Sequence, residues 1–591
     1  MKSFSIAALI PSAVATAIAS SATATLPTVC DPVKNVTYLG LERNGIDVFL
    51  GIPYGQDTSG VNRFKPPVPF VPSPGDVIIA QSYGPACPQM VVEASFPFSL
   101  SDVSDISEDC LNLNIARPKA GDGADVEPLG KGKGLPVMVY IHGGSFWSGQ
   151  NRELNIAPDG LILQSLENET SVIHVAMNYR LGVFGFAQSD ALYSEGSLNA
   201  GLRDQRLAIE WVRDNIAQFG GDPKRITIFG QSSGGLAVGM QVMAYGASEP
   251  VPFQQAICES QALEPGITGN FTIDAMQAVV DAIGCNSSSL QSPETVACLR
   301  DLDTEALLNA SLATYASDIG HNIGDIWLPV VDGDFLPDSP SQLIAQGLFA
   351  NVTSMMGWCQ DDLTYFTDTS ITTSNDTLAF ISAYAPDMTP AHVDKLLSLY
   401  PLPEFTAEAA SKDGDLSPEF YRAARIFRDI LMTCPPILYG ARLASRGNAA
   451  YLYDWNQTML DLPLAVVDDA PGMGVIHTSE FAYIFGNISH YNISGYPFDP
   501  TPEDWALEKR GSRSWATFAA TGQPGIEGRD TFQGFETAFD GEQVRVFVVG
   551  GGDEGLSAID GSDAKPALAE QRLRERCEFI NSPEIIEELR F

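Results

Sequence analysis

The sequence predicts an α/β fold with a large, mostly parallel central sheet flanked by helices. Two observations predict it: apolar runs of strand length recur along the chain, and segments with helical periodicity lie between them. Strands that alternate with helices form a mainly parallel sheet that is covered on both faces, so its strands are apolar along most of their length. The runs lie at residues 137–141, 172–177, 226–229, 253–258, 352–356, 450–453 and 544–549.

The clearest helix is predicted over residues 204–219, where Leu207, Trp211 and Ile216 belong to one apolar face. It should end at the Gly-Gly-Asp-Pro sequence of residues 220–223, because glycine terminates a helix and proline does not continue it. Ligands of a parallel sheet bind at the carboxyl ends of its strands. The residues that directly follow each strand are therefore the first candidates for a functional site.

The amino terminus predicts a secretory signal peptide over residues 1–24. Lys2 supplies a positive charge, residues 4–19 are mostly apolar, and residues 22–24 read Ala-Thr-Ala, a small-residue cleavage site. No later run approaches the ~18 apolar residues of a membrane-spanning helix, so no integral membrane segment is expected. No linker or repeat divides residues 25–591, which are predicted to form a single domain with a surface insertion at 119–134.

The charge balance argues against a nucleic-acid partner. The chain has 34 Lys and Arg against 73 Asp and Glu, a net charge of −39, whereas phosphate binding needs a basic surface. An acidic, extracellular protein is the simpler interpretation. Ten Asn-x-Ser/Thr acceptor sites support secretion, and Asn351 is expected to be buried because it opens an apolar run. The acceptors are Asn35, Asn168, Asn270, Asn286, Asn309, Asn351, Asn375, Asn456, Asn487 and Asn492.

The sequence Gly-Gln-Ser-Ser-Gly at residues 230–234 follows an apolar strand and precedes a helix-compatible stretch, 236–245. A serine between two glycines at such a turn is lifted off the backbone, where a substrate carbonyl can reach it. In a chain this rich in glycine and serine the bare pattern is expected by chance about 0.4 times, so the neighbouring sequence has to decide. Ser232 becomes a candidate nucleophile for acyl transfer if a base, an acid and oxyanion donors accompany it.

A glycine-rich turn is the candidate source of those donors. Residues 142–146 read His-Gly-Gly-Ser-Phe and end the strand predicted at 137–141. Glycine allows the backbone to approach a ligand closely, so the N–H groups of such a turn can point at one spot. An ordinary strand-to-helix turn is the alternative interpretation.

His477 is the best candidate for the base by its position. It follows the glycine-rich loop 472–476 and precedes the helix-like segment 479–485. His142 belongs to the donor turn, and His174 lies inside an apolar strand. The remaining three histidines lie on a polar helix or in loops: His321, His392 and His490.

The acid that orients the base should follow another strand. Asp361 and Asp362 both follow the strand predicted at 352–356. With 73 acidic residues in the chain, the residues alone leave both of them open, and either could be a solvated loop carboxylate.

Several further motifs appear in the order that is typical of one family. The sequence resembles the type-B carboxylesterase/lipase family, the cholinesterase-like branch of the α/β-hydrolase fold, over nearly the whole chain after the signal peptide. The motifs that carry the resemblance lie at residues 107–114, 142–146, 178–182, 199–205, 219–223 and 226–235.

The resemblance implies a Ser-acid-His order for the triad. By it, Ser232 is the nucleophile, His477 the base and Asp362 the acid. Many family members have glutamate where Asp362 stands, and this departure leaves Asp361 as the alternative.

The resemblance also implies residues around the triad. The N–H groups of Gly144, Ser145 and Ser233 match the oxyanion donors of relatives. Serine stands at 145 and 233 in place of the usual glycine or alanine, but the donor is the backbone N–H, so the role can be kept. Ser260 matches a buried serine that supports the acid in relatives, although Gln261 departs from the usual glycine. The implied disulfides are Cys87–Cys110, Cys285–Cys298 and Cys434–Cys577, while Cys30, Cys258 and Cys359 stay unassigned.

The function implied by the resemblance is that of a secreted, fungal-type serine esterase. It would act on a small-molecule or lipid ester through an acyl-enzyme, with no cofactor and no metal. Choline esters are disfavoured, because the loop 87–110 has no tryptophan for cation–π recognition and Gln231 replaces the usual glutamate. A lipase or sterol esterase, with that loop as a flap, is the first alternative; a non-catalytic cholinesterase-like adhesion protein is the second. The sequence does not indicate an oligomeric state.

Overall fold

A computed structural model describes residues 26–94, 96–119, 134–261, 263–318 and 326–591 of the chain. The predicted signal peptide at 1–24, most of the predicted insertion at 119–134, and His321 lie outside the described residues. The strands are β1 Thr28–Asp31, β2 Val36–Leu39, β3 Leu41–Arg43, β4 Ile46–Pro53, β5 Val77–Ile79, β6 Asn112–Pro118, β7 Leu135–Ile141, β8 Ile173–Met177, β9 Gly221–Gln231, β10 Gln255–Glu259, β11 Thr353–Cys359, β12 Ala450–Trp455, β13 Phe539–Asp540, β14 Gln543–Val549 and β15 Gly555–Ala558.

Helices connect these strands and surround the sheet. They are α1 Asp159–Glu167, α2 Gly182–Phe186, α3 Asp190–Ser194, α4 Ala200–Asn215, α5 Ser233–Met243, α6 Phe271–Ala282, α7 Pro293–Asp301, α8 Thr304–Asp318, α9 Pro340–Gln346, α10 Ser374–Tyr384, α11 Pro390–Ser398, α12 Leu402–Ser411, α13 Pro418–Arg428, α14 Cys434–Ser445, α15 Asp461–Val467, α16 Phe481–Ile484, α17 Pro502–Thr521, α18 Pro566–Ala569, α19 Leu573–Ile580 and α20 Pro583–Glu588.

Within the described ranges, twelve strands form one mixed sheet in the order β13-β14-β12-β11-β10-β9-β7-β8-β6-β4-β3, with β15 beside β14. The strands from β8 through β7, β9, β10, β11 and β12 to β14 run parallel, and the outer pairs are antiparallel. All seven predicted strands belong to this sheet. The fold class is therefore confirmed, because these runs are the buried parallel strands that alternating βα connections produce.

The predicted helix at 204–219 is α4, which begins four residues earlier and continues as a 3-10 turn to Phe219. Helices α4, α5, α14 and α17 pack against the sheet and cover it. Every residue of α5 is buried, as expected for a helix that is apolar all round. No helix among the described residues combines the length and apolar character needed to cross a bilayer.

The three disulfides implied by the resemblance are present: Cys87–Cys110, Cys285–Cys298 and Cys434–Cys577. Cys30 is exposed and unpaired, and Cys258 and Cys359 are buried thiols.

The expectation that Asn351 is buried is wrong. Asn351 is exposed in the loop before β11, although its neighbours Ala350 and Val352 are both buried. Asn168 and Asn487 are the buried acceptor residues, with 6% and 0% of their surface exposed. Their side-chain nitrogens are engaged by hydrogen bonds, to a threonine hydroxyl at 3.0 Å and to a backbone oxygen at 2.8 Å, respectively.

Candidate active site

Ser232 stands on a sharp turn between β9 and α5. Its backbone has φ 61° and ψ −131°, a conformation that L-residues rarely adopt, and its N–H donates to the oxygen of Glu259 at 2.9 Å. Ser232 is half-buried in a run of buried residues, so a substrate can reach it from solvent. Two glycines make the turn possible. A Cβ on Gly230 would lie 2.6 Å from the oxygens of Gly234 and Ile141, and one on Gly234 would lie 2.2 Å from the Ile141 oxygen.

His477 is held by a buried carboxylate. Its Nδ1 lies 2.5 Å from Oδ1 of Asp362, whose other oxygen accepts the N–H of Cys359 at 2.8 Å. Asp362 is fully buried and His477 is 4% exposed. The edge of the Phe366 ring packs against the imidazole, with 5.6 Å between ring centroids. These contacts fix the ring plane and favour the tautomer that carries its proton on Nδ1.

The other imidazole nitrogen contacts the residue next to the serine. Nε2 of His477 lies 3.0 Å from the amide nitrogen of Gln231, which donates to it when the ring is neutral. The hydrogen bonds of the described residues do not include one between Ser232 and His477. The structure therefore brings His477 together with Asp362 and places it beside the strand-to-helix turn at Ser232. The Gln231 amide is hydrogen-bonded to Nε2 of His477.

Asp361 does not face His477. One of its oxygens, Oδ2, lies 2.9 Å from Nζ of Lys412 and accepts the N–H of Val475 at 3.0 Å. Burial by itself raises the pKa of Asp361, but the charges of Lys412 and Arg425 and these hydrogen bonds outweigh it and lower the pKa below its ordinary value. Of the two acids that the sequence left open, Asp362 is the one in contact with the histidine.

The glycine-rich turn 142–146 packs directly against the strand-to-helix turn at Ser232. A Cβ on Gly143 would approach the oxygen of Gln231 to 2.5 Å and the Cβ of Ser232 to 3.0 Å. Gly144 and Ser145 both have positive φ, 105° and 52°, which turns their N–H groups away from the strand direction. Within the described chain, neither N–H donates to a backbone or side-chain acceptor.

Ser233 connects the glycine-rich turn 142–146 to α5. It is the first residue of α5, where backbone N–H groups have no partner inside the helix. Its hydroxyl accepts the N–H of Phe146 at 3.3 Å, and the Tyr179 hydroxyl donates to the oxygen of His142 at 2.7 Å. Ser233 therefore links the glycine-rich turn to the start of α5, directly after Ser232.

Ser260 reaches the acid only through a cysteine. Its hydroxyl lies 4.0 Å from the sulfur of Cys359, and it is the N–H of Cys359 that contacts Asp362. The thiol of Cys359 in turn donates to Glu480 at 3.1 Å.

Two buried acids near Asp362 and His477, Glu480 and Glu259, were not predicted from the sequence. Burial, and then the charge of Asp362, raises the pKa of Glu480 to about 7. Burial, and then Glu480, raises the pKa of Glu259 well above its ordinary value, and Trp515 donates to that carboxyl at 2.6 Å. Glu480 lies three residues after His477 in the turn that precedes α16, and no pattern in the sequence marks either acid as buried.

The other described histidines are engaged elsewhere. His142 and His174 are fully buried, and burial lowers their pKa to about 4 and about 3. His392 pairs with Glu588 at 2.9 Å, and His490 contacts a backbone oxygen at 3.0 Å.

The loop closed by Cys87–Cys110 covers one side of the site. Its Phe98 stacks on Phe366 at 5.3 Å between centroids, and Phe366 in turn packs on His477. Met90 and Val91 of the same loop are 43% and 58% exposed. An aromatic side chain of this loop thus packs onto the residue that contacts His477, while the aliphatic Met90 and Val91 of the loop are exposed.

Comparison with known proteins agrees with this architecture. A family model described as "Carboxylesterase family" matches residues 35–546. The chain is 54% identical to a secreted lipase of Arthroderma benhamiae, with 96% of each chain covered. It is 35% identical to an inactive carboxylesterase-like protein of Byssochlamys spectabilis, with 94% of each chain covered. Among solved structures, Aspergillus niger EstA matches with a TM-score of 0.71 and 24% identity, covering 96% of this chain and 99% of EstA. The chain belongs to the carboxylesterase family and has the α/β-hydrolase fold.

Proposed function

We propose that this protein is a secreted serine carboxylic-ester hydrolase that works through an acyl-enzyme intermediate. Ser232 is the nucleophile, His477 the general base and Asp362 the acid that orients the base. The observation that carries the proposal is the 2.5 Å contact between the buried Asp362 and His477, beside a serine on a strained strand-to-helix turn. Nucleophile, base and orienting acid are the three groups that acyl transfer by serine requires.

The first half-reaction acylates the enzyme. Asp362 holds the proton of His477 on Nδ1, so Nε2 is free to accept the proton of the Ser232 hydroxyl once that hydroxyl replaces the Gln231 amide. Such hydrogen bonds are often absent before substrate binds. The Ser232 oxygen attacks the ester carbonyl carbon, and the electron pair of the C=O bond moves to its oxygen.

Backbone donors stabilise the negative charge that develops there. The N–H groups of Gly144, Ser145 and Ser233 border the space in front of Ser232, and each such donor is worth about 3 kcal/mol of transition-state stabilisation. The tetrahedral intermediate collapses when His477 returns the proton to the leaving alcohol. A water molecule then repeats the same steps on the acyl-enzyme, with His477 again as base, and releases the carboxylic acid.

A lipid ester is the second candidate substrate. Two observations favour it: the exposed Met90 and Val91 of the loop closed by Cys87–Cys110, and the 54% identity to a protein named as a secreted lipase. Activity that rises sharply when an ester passes its solubility limit supports a lipase or sterol esterase. Equal activity on dissolved and emulsified ester supports an esterase.

A non-catalytic role is the alternative from another class. One relative is named as inactive, so family membership alone does not guarantee catalysis. The residues required for the reaction are present in this chain, and their arrangement favours an active enzyme. Hydrolysis of a chromogenic ester by the purified protein separates the two.

Secretion is proposed from the amino-terminal segment and from the surface. Seven of the ten glycosylation acceptors are exposed, and the three disulfides suit an oxidising compartment. The mature protein should appear in the culture medium with its amino terminus after residue 24.

A fluorophosphonate probe tests the proposed nucleophile. We expect the wild-type protein to take up one probe per chain and lose its esterase activity, and Ser232→Ala to take up none. Ser248→Ala, which removes an exposed hydroxyl at the end of a helical turn, is the matched control and should react as the wild type does. Ester hydrolysis by Ser232→Ala at the wild-type rate would refute the proposal.

A further inference from the structure

Asp361 connects the two loops that carry His477, the proposed base, and Asp362, the proposed acid. Its N–H donates to the oxygen of Val475 at 3.0 Å, and its carboxylate accepts the N–H of Val475 at 3.0 Å. Val475 lies two residues before His477, and Asp361 is the neighbour of Asp362. The two loops are thus paired at the point where His477 and Asp362 meet.

Two cations hold this carboxylate in place. Lys412 lies 2.9 Å from Oδ2 of Asp361, and Arg425 lies 3.9 Å from Oδ1. Arg425 also pairs with Glu408 at 3.2 Å. The side chains of Asp361 and Arg425 are 4% and 8% exposed, so solvent screens their attraction much less than that of a surface pair.

Gly474 allows the Asp361–Lys412 ion pair to lie directly against the loop 472–476 that precedes His477. Its φ is +75°, and a Cβ at this position would lie 2.0 Å from Oδ2 of Asp361 and 2.5 Å from Nζ of Lys412. No side chain therefore separates the loop backbone from the charges. Further along the loop, Tyr421 donates to the oxygen of Gly472 at 3.0 Å, which anchors the same segment to α13.

We propose that Asp361, with Lys412 and Arg425, is a positioning group for His477: an ionic clamp that fixes the base against Asp362. The inference rests on the proposed role of His477 as the base. The carboxylate of Asp361 meets both an N–H of the His477 loop and the ammonium of Lys412, so its removal breaks one of the two hydrogen bonds to Val475 and takes away the ion-pair partner of the partly buried Lys412. A shift of about 1 Å in a catalytic group lowers a rate about 100-fold.

A cavity of about 490 Å³ lies behind the clamp and is lined by Asp361, Lys412 and Arg425, together with residues of α12 and α18. A small carboxylate can therefore reach the place that the Asp361 side chain occupies. Formate offers the same two oxygens as that side chain. This makes the clamp testable by chemical rescue.

The experiment compares Asp361→Ala with Asp361→Asn in the full-length protein. We expect Asp361→Ala to lower kcat of ester hydrolysis about 100-fold with an unchanged KM, and formate to restore kcat at least about tenfold. Asp361→Asn should lose activity too but should not respond to formate, because its amide fills the space. Formate is also added to the wild type, where it should not raise kcat.

Two further variants separate positioning from stability. Lys412→Met should lower kcat about tenfold without formate rescue, because it removes the cation and keeps the aliphatic stem. Glu419→Gln is the matched control: Glu419 pairs with Arg422 on α13 at 3.3 Å and touches neither loop, so it should change stability and leave kcat as in the wild type.

The outcomes are distinct. A kcat of Asp361→Ala close to wild type, or a loss of kcat that formate does not reverse in a folded variant, would overturn the clamp. If Asp361→Ala does not fold, Lys412→Met decides, and a wild-type kcat for it overturns the clamp. A wild-type protein that neither hydrolyses esters nor reacts with fluorophosphonate overturns the proposed function, and the clamp falls with it. An active wild type with unaffected clamp variants overturns the clamp alone.

Discussion

Replacement of Asp362 by asparagine should nearly abolish ester hydrolysis. Oδ2 of Asp362 accepts the N–H of Cys359, so the oxygen of an asparagine must stay at that position to satisfy the buried donor. Its NH₂ group then faces Nδ1 of His477, which has to become an acceptor. The ring proton moves to Nε2, and His477 loses the lone pair that takes the proton of Ser232.

The magnitude follows from the geometry. During the reaction His477 becomes positively charged next to the Asp362 carboxylate, with 2.5 Å between the contacting atoms. Both charges are delocalised, so their centres lie about 4 Å apart, and at an effective dielectric constant of about 20 they attract by about 4 kcal/mol. That energy corresponds to about three powers of ten in rate, and the wrong tautomer adds to it. We expect kcat to fall about 10³- to 10⁴-fold.

The assay is steady-state hydrolysis of a p-nitrophenyl ester with variants of verified thermal midpoint. Asp362→Glu is the control, because it keeps the charge and should lose less activity than Asp362→Asn. An Asp362→Asn variant that retained more than about a tenth of wild-type kcat would refute the proposed role of the carboxylate.

Three further predictions concern the rest of the chain. Mass spectrometry of glycopeptides from the secreted protein should find Asn168 and Asn487 unmodified, because both amides are buried and hydrogen-bonded. Loss of Cys434–Cys577, which closes 143 residues, should lower the free energy of unfolding by about 5 kcal/mol, against about 3 kcal/mol for Cys285–Cys298, which closes 13. Glu480 should contribute less to stability as pH rises from 5 to 8: burial raises its pKa to about 7, so above about pH 4.5 the folded state keeps a proton there that the unfolded state has lost, and the thermal midpoint of Glu480→Gln should rise relative to that of the wild type between pH 5 and pH 8.

A specific result would contradict each of these three predictions. A glycan on Asn168 or Asn487 would mean that the local fold forms after glycosylation or differs from the one described. Equal losses for the two disulfides would exclude loop-closure entropy as the dominant effect. A difference in thermal midpoint between Glu480→Gln and the wild type that stays the same from pH 5 to pH 8 would contradict the raised pKa of Glu480.

Much of the fold could be predicted because the information is local. The seven runs became strands of the central sheet, since short, mostly apolar runs that alternate with helices are buried as strands of a sheet covered on both faces. The strand-to-helix turn at Ser232 was predictable for the same reason, because only glycine at 230 and 234 allows the strand and the helix to approach so closely. The disulfide pairs followed from the family resemblance and not from spacing.

Other features could not be predicted, because they depend on which side chains meet. Asp361 and Asp362 are adjacent and chemically identical, and the pairing of Asp361 with Lys412 decides which of them faces His477. Asn351 was expected to be buried and is exposed, although Ala350 and Val352 on either side are buried, because it lies in the loop before β11, where adjacent side chains reach different environments. The raised pKa of Glu480 has no local cause either, since it comes from burial and from Asp362.

By itself the sequence determined the α/β architecture, the strand-turn-helix at Ser232 and the chemistry of its family, because periodicity and glycine positions act over a few neighbouring residues. Only the tertiary structure decided how the site is held. It set Asp362 against His477 across 115 residues, and it placed the Asp361 carboxylate beside Lys412 and Arg425 and against the backbone of the loop before His477. Contacts between distant segments depend on how the layers pack, and no local pattern records them.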